Sequence, residues 1–159
     1  MTDVAERVLA SALGAELTSG EAGVLAALMS SQQLADGDYL ITESVNDDSL
    51  HVLLEGKLEV VKTTGAGETV SLAVLRDGEL AGELSFLDGE PHTVALRALC
   101  DCLVVSLARK EFETVIDSEP QLVYKVMRAV ARSTHRIVHR MNLQYVELSN
   151  YVFKQHGRY

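Results

Sequence analysis

The sequence predicts a mainly β fold flanked by helices. Three observations carry this expectation: helical hydrophobic spacing over residues 3–35, short strands between turn signals over 38–107, and a return to helical spacing after Arg109. The 159 residues also fit one hydrophobic core, which typically serves roughly 100–200 residues, so 1–159 is expected to form a single unit.

In residues 1–35, Val4, Val8, Leu9 and Leu13 recur on one helix face. Thr18-Ser19-Gly20-Glu21 is a polar start for a second helix carrying Val24, Leu25 and Leu28, and Asp36-Gly37-Asp38 ends the pattern. In residues 36–108 the strand candidates are Tyr39–Thr42, Leu50–Leu54, Leu58–Thr63, Thr69–Leu75, Thr93–Leu99 and Cys102–Leu107. Asn46-Asp47-Asp48, Glu55-Gly56-Lys57, Gly65-Ala66-Gly67 and Arg76-Asp77-Gly78 supply turns between them. Many short, regularly spaced strands point to a β-sandwich, jelly roll or barrel. Between two of them, Gly82 and Gly89 enclose a single apolar turn, Glu83-Leu84-Ser85-Phe86-Leu87-Asp88, which suits a short inserted helix.

In residues 109–151, Glu111–Ser118 reads as a short helix stopped before Pro120, and Pro120 suits the first turn of the next. There Val123, Met127, Val130, Thr134, Ile137, Met141, Gln144, Leu148 and Tyr151 step by alternating fours and threes, the a/d pattern of a coiled coil. A helix of this length overruns a small barrel. The expectation is a homodimer through Val123, Met127, Val130, Thr134, Ile137, Met141 and Leu148.

Charge divides at the same boundary. Residues 1–119 hold 7 basic and 22 acidic side chains, whereas residues 120–159 hold 7 basic and 1 acidic. The overall charge of −9 speaks against a nucleic-acid binder, whose affinity rests on neutralised phosphates. The stripe Lys125, Arg128, Arg132, Arg136 and Arg140 is read as a solvated helix face that offsets an acidic barrel, within the subunit or across a dimer; a surface for nucleic acid or an anionic membrane is the sharper alternative. Aromatics make up 5% of the chain and Trp is absent, which disfavours a stacking groove. Cys100 and Cys102 are read as reduced, buried small residues. The N-terminus lacks a secretory signal and no apolar run reaches the roughly 18–20 residues of a membrane span, so a cytoplasmic location is expected.

Catalytic and metal chemistry find little support. Neither a nucleophile elbow nor a phosphate-loop or dinucleotide fingerprint is present. A metal-dependent cupin-type enzyme would need convergent imidazoles, usually with a His-x-His pair, but His51, His92, His135, His139 and His156 include no such pair. His135 and His139 lie one helical turn apart, yet Arg136 between them repels a cation. No catalytic residue, metal site or cofactor is expected. The insert offers a different chemistry: Gly82 permits close backbone approach, amides at the helix start suit an anion, and Glu83 can accept hydrogen bonds from hydroxyls such as those of a ribose.

The stretch from Leu80 to Ala98, Leu-Ala-Gly-Glu-Leu-Ser-Phe-Leu-Asp-Gly-Glu-Pro-His-Thr-Val-Ala-Leu-Arg-Ala, resembles the phosphate-binding cassette of cyclic nucleotide-binding domains. Leu53-Leu54-Glu55-Gly56-Lys57-Leu58-Glu59-Val60 is similar to that family's glycine-turned hairpin. Leu103–Phe112, then Pro120 and the long helix, resembles the approach to the dimer helix of catabolite activator-like proteins. The resemblance spans roughly residues 35–150. It implies a β jelly roll that binds cyclic AMP or a related cyclic nucleotide without catalysis and passes the signal to an unknown protein partner. A module that keeps the fold without the ligand is the alternative. By position, Gly82 and Glu83 would meet the ribose, the amides of Leu84 and Ser85 the cyclic phosphate, and Thr93 and Val94 its other side. His92 stands where the family usually has an arginine, and histidine carries its charge only in part near neutral pH. Ile137 and Val138 align where relatives place polar groups against the base. Transcription factors of the family append a DNA-binding helix-turn-helix; Val152–Tyr159 are too few for one, so no direct DNA binding is expected.

Overall fold

The computed structural model describes residues 3–156, leaving residues 1–2 and 157–159 of the expected unit outside. Helix α1 (Asp3–Ala10) leads through a 3-10 turn, Ala12–Gly14, to α2 (Ser19–Leu28). The polar start read at Thr18 is a reciprocal capping box: the Thr18 hydroxyl accepts from the Glu21 amide, and the Glu21 carboxylate accepts from the Thr18 amide.

The strands are β1 (Ser30–Leu34), β2 (Tyr39–Ile41), β3 (Ser49–Glu55), β4 (Leu58–Thr63), β5 (Thr69–Leu75), β6 (Leu80–Ala81), β7 (Ala95–Ala98) and β8 (Cys102–Ala108). Helix α3 (Glu83–Asp88) is inserted between β6 and β7; α4 (Arg109–Glu113) and α5 (Pro120–His156) follow β8. Two antiparallel four-stranded sheets result, in the orders β1-β8-β3-β6 and β2-β7-β4-β5. This is the jelly-roll arrangement with helices at both ends.

Strands β3 and β8 are apolar almost throughout because both their faces are covered. Leu50, Val52, Val105 and Leu107 turn outwards under the helices, where they meet Val8, Leu25, Phe86, Phe112, Leu122 and Val126. Their alternate neighbours Leu53, Val104 and Cys102 turn inwards between the sheets, with Leu34, Leu58 and Ala98. His51 is the polar member of that inward row. Turn chemistry fixes the corners. Gly56 sits at φ 112°, and a Cβ there would lie 2.6 Å from Cys102 Sγ, so the β3–β4 turn requires glycine.

Three expectations need correction. Residues 30–34, counted with the N-terminal helices, form strand β1; four of its five residues are exposed, so no apolar alternation marks it. The strand expected at Thr93–Leu99 is confined to Ala95–Ala98; just before it, the backbone of His92 is bonded to the neighbouring loop at Ser44 and Val45. The helix expected at Glu111–Ser118 is α4, Arg109–Glu113, continued by turns. Cys100 and Cys102 are free thiols, and burial pushes the Cys102 thiol up.

Helix α5 runs for 37 residues, about 55 Å. Its first half packs Leu122, Val126, Ala129, Val130 and Ser133 onto the body. Val130, expected on the dimer seam, is 0% exposed and lies in the core of the protomer. The 3.6-residue stripe facing the body and the 3.5-residue seam coincide at that position. Beyond it Ile137, Met141, Leu148 and Tyr151 are exposed. Four of the five basic side chains of the stripe meet carboxylates of the body. Lys125 pairs with Glu21 at 2.9 Å, Arg128 and Arg132 with Glu16 at 3.0 and 3.4 Å, and Arg140 with Glu79 at 3.9 Å. These contacts match the plainer reading of an offset to an acidic body.

Candidate functional site

Strand β6 delivers the chain to Gly82, which caps α3 in the left-handed conformation at φ 78°. A Cβ at this position would lie 2.7 Å from the Ser49 carbonyl, 3.2 Å from His51 and 3.7 Å from His92. Gly82 is therefore the point where strand, insert and both imidazoles close on one another, and a side chain there would be strained on both conformation and space.

Glu83 follows and is buried. Its carboxylate accepts a hydrogen bond of 2.7 Å from the hydroxyl of Ser133 on α5. Burial pushes the Glu83 carboxyl up from the ordinary range, and the Ser133 hydrogen bond offsets part of that rise. Ser85 is buried too, its hydroxyl donating to Asn46 Oδ1 at 2.8 Å, while Leu84 points to solvent.

His92 returns from the insert beside the loop 42–48. Its amide donates to the Val45 carbonyl, and its carbonyl accepts from the Ser44 amide, at 3.0 and 2.8 Å. Its ring Nε2 donates to Asp47 Oδ1 at 2.9 Å. His51 Nε2 donates to the other carboxylate oxygen, Oδ2, at 2.8 Å, and His51 Nδ1 meets the Ser106 hydroxyl at 2.7 Å. A carboxylate offers only acceptors, so both Nε2 atoms carry protons. The two imidazoles are almost covered, with side-chain exposures of 6% for His51 and 8% for His92, whereas Asp47 is 31% exposed. Burial pushes the Asp47 carboxyl up, but the hydrogen bonds from His51 and His92 outweigh it and hold the group well below the usual carboxylate range. Thr93 is exposed and its carbonyl accepts from Lys62 at 2.6 Å; Val94 is half-buried.

The site residues expected from the sequence thus divide. His92 closes on Gly82, Glu83 turns to Ser133 on α5 and Ser85 to Asn46 in the loop that His92 joins, whereas Thr93 and Leu84 are exposed and Val94 is half-buried. Among the dimer positions, Val123 and Thr134 are half-buried against the body and Met127 is partly open. Asp47, His51, Asn46 and Ser133 belong to the site but carry no motif. A dense Asn46-Asp47-Asp48 run opposite a histidine in an apolar strand was the available signal for the first three. His135 and His139 are exposed on α5, and no three His, Cys, Asp or Glu side chains among the described residues are placed to hold a metal.

Residues 31–119 match the cyclic nucleotide-binding domain family, over more than half of the chain and including the entire insert. The chain belongs to this family. The cyclic nucleotide-binding domain described here is 29% identical over 134 residues to the neuropathy target esterase of Drosophila melanogaster, covering 80% of this chain and 9% of that protein. Among solved structures it resembles the N-terminal domain of a transcriptional regulator from Streptomyces coelicolor A3(2), at 32% identity and a TM-score of 0.72, covering 82% of this chain and 94% of that one. It shares its fold with the cyclic AMP-bound regulatory domain of Toxoplasma gondii PKA at 21% identity and a TM-score of 0.62, covering 70% and 42% of the two chains. The chain spans about a tenth of the length of the curated relatives it matches.

Proposed function

We propose that this chain is a regulatory module that binds a cyclic nucleotide, cyclic AMP or a close relative, catalyses nothing itself and acts in the cytoplasm. The observation that carries the reading is the approach of His51 and His92 to Gly82, the residue before the buried Glu83, within the segment that matches the family. A buried carboxylate and an imidazole N–H supplied by one segment are chemically complementary to a ribose hydroxyl and a phosphate oxygen. On this reading Glu83 accepts from the 2′-hydroxyl, His92 donates to an exocyclic phosphate oxygen, and the amides of Leu84 and Ser85 face the same phosphate. Thr93 and Val94 close its far side. The exposed half of α5 joins two copies as a homodimer and transmits occupancy to a protein partner.

The alternative, an interaction module that keeps the fold without the ligand, is favoured by one observation: the polar groups of His92 and Glu83 are already satisfied within the protein. Thermal unfolding with cyclic AMP, cyclic GMP and cyclic dinucleotides separates the two. A ligand at about 100 times its dissociation constant stabilises by roughly 2.7 kcal/mol. A rise in unfolding temperature with one of these compounds is the expected result, and no shift with any of them favours the alternative.

A further inference from the structure

We infer that Asp47 and Ser133 are internal competitors for the ligand site, a carboxylate and a hydroxyl that occupy its two recognition groups until a ligand displaces them. The inference rests on the cyclic-nucleotide reading and adds a regulation to it.

The match is one of chemical kind. The imidazoles of His51 and His92 stand against Gly82, and a single carboxylate takes both, one oxygen each, at 2.8 and 2.9 Å. The group that would accept a ligand hydroxyl is Glu83, and a hydroxyl already donates to it at 2.7 Å. Each Nε2–H is one donor and cannot serve two acceptors at full strength. A phosphate brought to His92 would also stand beside the Asp47 carboxylate, and two anions so close repel.

The geometry makes Asp47 the movable member. It is the most open of the three groups, lying over two nearly covered rings. Its loop holds two non-glycine residues in the left-handed region, Ser44 at φ 66° and Asp48 at φ 48°, conformations that such residues adopt at a cost. Ser133 lies in the packed half of α5. Its bond to Glu83 joins the insert to the helix, so a ligand hydroxyl that takes over Glu83 releases a contact on α5.

The test is calorimetric titration of cyclic AMP and cyclic GMP into the wild type, Asp47→Asn, Ser133→Ala and the double variant, with thermal unfolding of each as a check on folding. Asp47→Asn keeps the shape of the side chain and removes its charge. It should bind more tightly than the wild type by on the order of tenfold, the size of one charge-assisted hydrogen bond. Ser133→Ala should tighten binding by a few-fold and decides the matter if Asp47→Asn fails to fold. Affinities equal to or weaker than wild type in the folded variants would overturn the inference and leave the nucleotide reading standing. Silence from all four folded proteins would remove the reading and this inference together.

Discussion

Asp47 joins two imidazoles through the two oxygens of one carboxylate. Its carboxyl is held low by two imidazole donors, and a carboxylate whose folded-state value is depressed stabilises the fold above its unfolded value, near pH 4. That contribution is lost progressively as the pH falls below the unfolded value toward the folded one. Asp47→Asn should therefore be less stable than wild type at neutral pH by about 1–2 kcal/mol. The gap should narrow as the pH drops from about 5 to about 2. Thermal unfolding across that range measures it; a gap that stays constant would show that the Asp47 charge contributes nothing. The sequence disclosed this residue only as one letter of a polar turn. Gly82 and Glu83 were legible at the start of the glycine-flanked insert, and His92 through the resemblance of residues 80–98 to the family's cassette. Asp47 and Ser133 were not, since their roles depend on a loop folding back by 45 residues and a helix packing across 50.

At the scale of elements, hydrophobic period was a sound guide wherever one face met the core and failed where it did not. Strands β3, β4, β5 and β8 were readable from apolar runs between turns. Strand β1 was not, because Ser30-Ser31-Gln32-Gln33 contributes little besides backbone hydrogen bonds to β8. The two residues of β6 are too few to show alternation. Helix α5 carries two superposed patterns. Its first half is fixed to the body by Val126 and Val130 and by ion pairs to Glu16 and Glu21, and its second half presents Ile137, Met141 and Leu148 to solvent. The dimer reading therefore rests on the second half. Replacing Ile137 and Met141 with Asp should yield monomers in sedimentation equilibrium without lowering the unfolding transition of the β domain. Met141 is 61% exposed, so the change introduces no buried charge within the protomer. A wild type that sediments as a monomer would contradict the seam.

Across the whole molecule, the acidic body and basic helix are complementary parts of one surface. Lys125, Arg128, Arg132 and Arg140 each face a carboxylate of the body, which agrees with the reading of the stripe as an internal offset. Solvent screens pairs of this kind, so they orient α5 more than they stabilise it. No helix is long and apolar enough to cross a membrane among the described residues. A left-handed glycine, the buried carboxylate next to it in the chain and two shielded imidazoles lie at the start of α3, where we propose that a cyclic nucleotide is recognised. Calorimetric titration of cyclic AMP and cyclic GMP into the wild type and into Glu83→Ala, both confirmed as folded by circular dichroism, tests it most directly. The expected result is saturable binding of one of the two nucleotides at one site per chain, weakened at least tenfold in Glu83→Ala by loss of a charge-assisted hydrogen bond. Absence of binding to the folded wild type, or equal affinity in the two proteins, would contradict it.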